Sequence, residues 1–198
     1  MVEGETEFIA FPRLHREARA LRFPPIKAVN LGGIGATLTP AAVAARVAPK
    51  VLAHHQRALA PIVVCFDRES REEPAGEFAA DVHAATTAWI EKRTDAPVEF
   101  SVVVADRAFE AWILADAHGL HGRGRLMRAP KFRSFEGAMG QRSRKGVVEL
   151  SRLLGRDYRK TVDGPDLFVA VDFVTARAPT KHGGGSASLD RLLTSLGL

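Results

Sequence analysis

Residues 61–66, Pro-Ile-Val-Val-Cys-Phe, form an apolar run without interruption that stops at Asp67. A strand that is apolar on both sides must be covered on both sides, which is the situation of a central strand in a parallel sheet. Upstream, Thr39-Pro40 offers a capping hydroxyl followed by proline in the first turn. Helical apolar spacing then continues from Ala41 to about Ala60, where Pro61 closes it. Downstream come a polar loop, a helical pattern over about Ala75–Lys92, a strand over Val98–Val104 and a helix over about Ala108–His118. Nearer the start, Phe8–Leu21 reads as a helix and Ile26–Leu31 as a strand ending in Gly32-Gly33-Ile34-Gly35. This alternation predicts an α/β fold, a mostly parallel sheet flanked by helices.

Beyond His118 the periodicity loosens into a basic stretch, followed by helix-like segments near Lys145–Leu154, Asp166–Ala176 and Ser188–Leu196. Gly183-Gly184-Gly185-Ser186 reads as a linker or helix lead-in, not a phosphate loop. The expected organisation is an α/β core over 1–120 and a basic segment with a helical carboxyl-terminal cover over 121–198, packed on the core as one domain. With 198 residues, 46% of them hydrophobic, the chain can bury such a core. Its one cysteine, Cys65, lies inside the apolar run, which excludes a disulfide framework or a thiolate zinc site and suits a reducing cytoplasm. No apolar stretch approaches the roughly 20 residues of a membrane span, and the acidic N-terminus is unlike a signal peptide. A soluble, cytoplasmic protein is expected.

The net charge is +5, yet residues 121–145 hold eight Lys or Arg (Arg123, Arg125, Arg128, Lys131, Arg133, Arg142, Arg144, Lys145) against the single acid Glu136, so the remainder is net acidic. Such a segment suits a polyanion, with DNA or RNA the expected partner. Read blandly, it is a solvated loop. The acids gather at predicted strand ends: Glu3-Gly4-Glu5-Thr6-Glu7, Asp67-Arg68-Glu69, and Asp106 with Glu110. In an open parallel sheet ligands bind outside the carboxyl ends of the strands. Carboxylates crowded there repel one another unless they hold cations, and hard oxygen donors select Mg²⁺ or Mn²⁺. Asp67 and Glu69 would point to the same side if extended geometry persists. Asp116 stands six residues after Glu110, about 240° round a helix, and is the weaker candidate. The competing reading is that these acids only cap turns and helix N-termini.

These motifs carry a resemblance. Val2-Glu3-Gly4-Glu5-Thr6-Glu7, followed by a helical pattern and then by Asp67-Arg68-Glu69, resembles the Glu-Gly and Asp-x-Asp signatures of the Toprim domain of topoisomerases, primases and nucleases linked to overcoming-lysogenization ATPases. With Glu110-Ala111-Trp112-Ile113-Leu114-Ala115-Asp116, the chain looks like a family of uncharacterised Toprim-like bacterial proteins often found beside ATPases in phage-defence loci. The similarity covers roughly residues 1–118, with a fainter echo at Tyr158-Arg159-Lys160 and Ser186–Leu193. It implies that Glu3 is the acid/base or metal-linked glutamate, that Asp67 and Glu69 hold Mg²⁺, and that Glu110 completes the acidic edge. It also implies that Gly4 lets the backbone turn beside the metal, and that Lys160 steadies charge on a transferring phosphoryl group. Two features depart from the pattern. Glu69 replaces the second aspartate, and only Met1 and Val2 precede Glu3 where a first strand belongs, which points to a misplaced start or to a fold that tolerates a stub.

Other chemistries are poorly supported. Leu38 stands where a dinucleotide fingerprint needs its third glycine, and there is no P-loop. His118 and His121 lack zinc-ligand company, and Trp89 and Trp112 read as core. The leading expectation is a metal-dependent phosphodiesterase, a nuclease by the resemblance. The alternative is a non-catalytic subunit that binds nucleotide or nucleic acid and works with a partner ATPase. The blandest expectation is a structural relic whose acids cap helices.

Overall fold

The structure is a computed structural model that describes residues 1–18, 21–132, 145–177 and 185–198. Strands β1 (Val63–Asp67) and β2 (Ser101–Ala105) pair in parallel, in register from Val63 opposite Ser101 to Asp67 opposite Ala105. On the other side of β1, Val2 makes single parallel bridges to Cys65 and to Asn30. Its N–H donates to the Val29 carbonyl (2.9 Å) and its carbonyl accepts from Leu31 (2.8 Å). The order across this layer is therefore Asn30, Val2, β1, β2. Among the described residues the expected strand over Ile26–Leu31 is reduced to that one bridge, because a ladder needs successive paired residues and Val2 supplies a single pairing.

The apolar run of β1 divides by alternation, as its covered position requires. Val64 and Phe66 pack with Val104 against helices α2 (Pro40–His55) and α3 (Ala75–Glu91), through Val43, Val47, Phe78 and Val82. Val63 and Cys65 face the opposite way, with Val103 and Ala105, into a larger core. That core is closed by α1 (Glu5–Glu17), α4 (Glu110–Leu114), α5 (Ala117–Gly122), α6 (Lys145–Leu154), α7 (Lys160–Val169), α8 (Phe173–Ala176) and α9 (Ala187–Ser195). Its centre is an aromatic group in which Phe168 lies 4.7 Å from Phe109 and 5.7 Å from Phe11, ring centre to ring centre. The fold mixes helices with a small parallel sheet. Among the described residues no helix is long and apolar enough to cross a membrane.

Several helices begin or end away from the expected pattern. The α2 cap is as expected, with Thr39 Oγ1 accepting from Ala42 N. The helix expected over Ala108–His118 breaks at Ala115–Asp116 into α4 and α5. There the Asp116 carboxylate accepts from Asp172 N (2.7 Å) and from the Arg123 guanidinium, tertiary partners that hold it out of helical geometry. Helix α7 starts six residues before the expected segment and runs through Gly164 and Pro165, residues that usually interrupt helices. Its first turn is fixed by Asp163, which accepts from Arg156 Nη1 (2.7 Å), Arg156 Nη2 (2.9 Å) and Arg159 N (2.8 Å). Replacing Asp163 by Ala leaves the Arg159 amide without its acceptor, while the exposed guanidinium groups turn to water, and is expected to cost about 1 kcal/mol, measured by urea denaturation. Neighbouring guanidinium groups, Arg156 first, hold the Asp163 carboxyl well below its usual range. Its contribution is therefore present at neutral pH and is lost only in strong acid.

Candidate functional site

The parallel arrangement brings acids from three chain segments to the carboxyl edge of the strands. Asp67 closes β1, Glu3 follows the Val2 bridge, Glu7 lies in the first turn of α1 and Glu110 opens α4. Glu7 is 6% exposed and Glu110 2%. Lys160, first residue of α7, reaches over them with Nζ 3.6 Å from Glu110 Oε1. Burial raises the Asp67 carboxyl well above its ordinary value, and Glu7, Glu110, Glu3 and Glu69 push it further. Burial likewise lifts Glu7 to about 7, reinforced by Glu110 and Glu3 and opposed by its own amide and Lys160. Burial works against the Lys160 ammonium, yet Glu110, Asp67 and Glu69 raise it on balance. Mutual influence of this kind requires the charges to lie near one another.

Glu3 has a different attachment from the others. Its Oε1 accepts from Ile34 N (2.5 Å) and its Oε2 from Asp67 N (3.1 Å), so one side chain clasps the glycine-rich loop to the end of β1. Burial raises its carboxyl in spite of these two amide donors. Replacing Glu3 by Ala leaves both amides unpaired and is expected to destabilise the fold by about 1–3 kcal/mol, whereas Glu3→Gln retains one acceptor and should lose less. Urea denaturation of the two variants checks this. Gly4 is extended (φ −102°, ψ 162°), a conformation open to any residue, so backbone freedom is not the reason for glycine here. A Cβ at this position would instead collide with the Glu7 carboxylate. Glycine leaves Glu7 room to turn inward.

Tyr158, two residues before Lys160, is 7% exposed, and its hydroxyl is buried with no hydrogen-bond partner among the described residues. A Cβ on Gly164 would come within 2.6 Å of that oxygen, so this helical glycine makes space for the phenol. Burial raises the Tyr158 hydroxyl well above its ordinary value, with Glu110, Glu7, Asp163 and Asp67 adding to the effect. The acids are thus the electrostatic surroundings of the phenol.

An arginine frame borders the edge. Arg71 donates to the carbonyls of Leu38 and Gly35 (both 2.7 Å) and lies over the Phe78 ring at 4.0 Å. Arg107 Nη1 donates to the carbonyls of Glu69 and Arg71 (both 3.2 Å). Glu69 (φ 58°) and Arg107 (φ 74°) both adopt the left-handed conformation, which costs about 1–2 kcal/mol for residues other than glycine. The bond from Glu69 N to Arg107 O (2.8 Å) ties the two together.

No family model, curated protein or solved structure matches the chain. Asp67, Glu7, Glu110, Glu3 and Lys160 converge, with Glu69 within their field. Glu69 does not continue the extended geometry expected of it; its left-handed backbone breaks the strand just after Asp67. Asp106 departs from the expected acidic set, because its carboxylate pairs with Arg68 Nη2 at 2.7 Å. Asp116 is committed to Arg123 and the Asp172 amide, and Arg123 is thereby committed as well. Arg125, Arg128, Lys131 and Lys145 are exposed, while Arg133, Arg142 and Arg144 lie outside the described residues. Leu126 is buried in the core, and the neighbouring Met127 is 79% exposed. His118 and His121 bond the carbonyls of Phe132 (2.8 Å) and Leu126 (2.9 Å).

Among the described residues no three His, Cys, Asp or Glu side chains already stand at the spacing of a metal-binding group. The donor set is nevertheless of the right kind. Mg²⁺ is ordinarily held by one or two carboxylates, with water and substrate phosphates completing its shell, and Asp67 beside Glu7 and Glu110 supplies such oxygens. The sequence reading gave Glu7 a minor place and did not weigh Tyr158 as a site residue. The spacing of Glu7 from Glu3, four residues across a helix start, was the available signal for the first. The second had only its nearness to Lys160.

Proposed function

We propose that this chain hydrolyses phosphodiester bonds in nucleic acid with the help of a divalent cation, as a Toprim-like nuclease. The observation that carries the reading is the convergence of Glu3, Glu7, Asp67 and Glu110 from separate chain segments at the carboxyl edge of a parallel pair of strands, opposed by Lys160. Asp67, with Glu7 and Glu110, would hold the cation, and Glu69 would stand at the rim. Bound Mg²⁺ or Mn²⁺ supplies Lewis-acid stabilisation and a more acidic water.

The protein groups then have separable tasks. Glu3, clasped by the Ile34 and Asp67 amides, fixes where Asp67 points. Glu7, buried beside Asp67 and Glu110, would offer its carboxylate to the cation, which would keep it ionised. The resemblance assigns the acid/base or metal-linked role to Glu3, whose two oxygens already accept from the Ile34 and Asp67 amides. Lys160 places positive charge where a phosphoryl oxygen would sit beside Glu110. Exposed Arg125, Arg128, Lys131 and Lys145 would engage the phosphate backbone, with Arg133, Arg142 and Arg144 of the same basic segment expected to join them.

The test is a gel assay on mixed DNA and RNA with Mn²⁺ or Mg²⁺. Cleavage should depend on the cation and disappear in Asp67→Ala without loss of fold. Survival of cleavage in that variant would end the proposal. One observation favours the second reading, a binding subunit that works with a partner ATPase: Glu3 already spends both oxygens on backbone amides. That reading expects salt-sensitive nucleic-acid binding without turnover. It fails if changing Arg125, Arg128 and Lys131 to Glu leaves the binding intact.

A further inference from the structure

Tyr158 poses a question that the proposed function does not answer. A buried hydroxyl ordinarily finds a partner, and a phenol placed at random in a core would be better replaced by phenylalanine. Here the hydroxyl is enclosed, without a partner among the described residues, and accommodated by a glycine in the middle of α7. Being enclosed, it is not placed to touch a nucleic acid. Its charged surroundings are Glu110 first, then Glu7, Asp163 and Asp67. Asp163 is already occupied by Arg156 and the Arg159 amide. Thr6 presents its methyl at the same glycine, and among the charged neighbours the acids of the edge are left as acceptors. Lys160 comes from the same turn and approaches the same Glu110, and Asp163 fixes that turn from behind.

We infer that the Tyr158 hydroxyl is a positioning group for the acidic edge: it donates a hydrogen bond to the Glu110 carboxylate when that carboxylate turns to hold a divalent cation. The inference rests on the metal-dependent reading of the edge and adds a device to it. Lys160 and Tyr158 then grip one carboxylate from two sides, one through charge and the other through a directed O–H. Carboxylates that ligate metals are usually oriented by such outer donors, and loss of one typically costs 10–100-fold in metal affinity or activity.

The experiment is a Mn²⁺ titration by calorimetry of the whole chain and of Tyr158→Phe, without nucleic acid, with thermal melts of both. The variant deletes one oxygen that has no partner, so its melting temperature should not fall. Its Mn²⁺ affinity should drop by about 10-fold or more. A second readout uses the fact that Tyr158 is the only tyrosine of the chain. The ¹³Cζ resonance of ring-labelled tyrosine should shift when Mg²⁺ is added to the unmodified protein, and should stay put in Asp67→Ala. Equal Mn²⁺ affinities, or a tyrosine signal indifferent to Mg²⁺ in a protein that binds it, would overturn the role of Tyr158 while leaving the metal site standing. Absence of Mn²⁺ binding by the unmodified chain would overturn the metal reading and this inference with it.

Discussion

Asp67→Ala is expected to remove cation-dependent cleavage while making the protein more stable. Both effects come from one arrangement. Asp67 is the carboxylate on which Glu7, Glu110, Glu3 and Glu69 all act, and each of them disfavours its charge. If the side chain were present for the fold alone, this would be a poor place to keep it. Lys160 offsets part of this charge, and the proposed cation would offset the rest. Loss of a cation's transition-state stabilisation, several kcal/mol, corresponds to a rate loss on the order of 10³-fold at about 1.4 kcal/mol per decade. Relief of repulsion among the remaining acids should contribute roughly 1 kcal/mol, which for a chain of this size raises the melting temperature by about 2–4 °C. Initial rates and melts at pH 8 would show the pair. An inactive variant that also melts well below the parent protein would make Asp67 a structural residue.

Stability should fall as pH rises from about 4.5 to 7, and Glu7 should account for much of the fall. Its carboxyl is lifted from 4.5 to about 7 in the folded chain, chiefly by burial and then by Glu110 and Glu3. Between those values the folded state binds more protons than the unfolded state, so unfolding becomes easier as pH increases. A shift of that size corresponds to a loss on the order of 3 kcal/mol, complete above pH 7. Asp67 acts in the same direction. Glu7→Gln should flatten the slope in urea denaturation measured across this range. Saturating Mn²⁺ should restore stability at high pH in the parent protein, because a ligand that binds only the folded state stabilises it. A parent protein equally stable at pH 5 and pH 8 would contradict the crowding of these acids.

Much of the scaffold was legible because it depends on local or periodic chemistry. The apolar run before Asp67 required cover on both faces, and α2, α3 and the larger core provide it. Thr39-Pro40 marked a helix start through capping, which needs no tertiary information. The failures are tertiary. Ile26–Leu31 has the composition of a strand, but Val2 offers it a single bridge. Asp116 breaks a helix for the sake of Arg123 and Asp172, partners seven and 56 residues away.

The site divides in the same way. Asp67, Glu3 and Glu110 lie near one another because strand ends and helix starts converge at one edge of a parallel sheet, and Lys160, which only the motif resemblance singles out, approaches Glu110. Asp106 has the same credentials on paper, yet it faces Arg68. Glu69 was expected to extend the strand, but its left-handed backbone ends it. Gly4 was expected to serve the backbone and instead makes room for Glu7. No spacing rule announces Tyr158, since its meaning comes from the absence of a partner in a place surrounded by acids.

If the acids at this edge are gathered to hold a cation, calorimetric titration of Mn²⁺ at pH 8 should show saturable binding to the unmodified chain and none to Asp67→Ala/Glu69→Ala, with the fold of both intact. Binding that survives the double substitution, or its absence from both proteins, would mean that these acids serve another purpose.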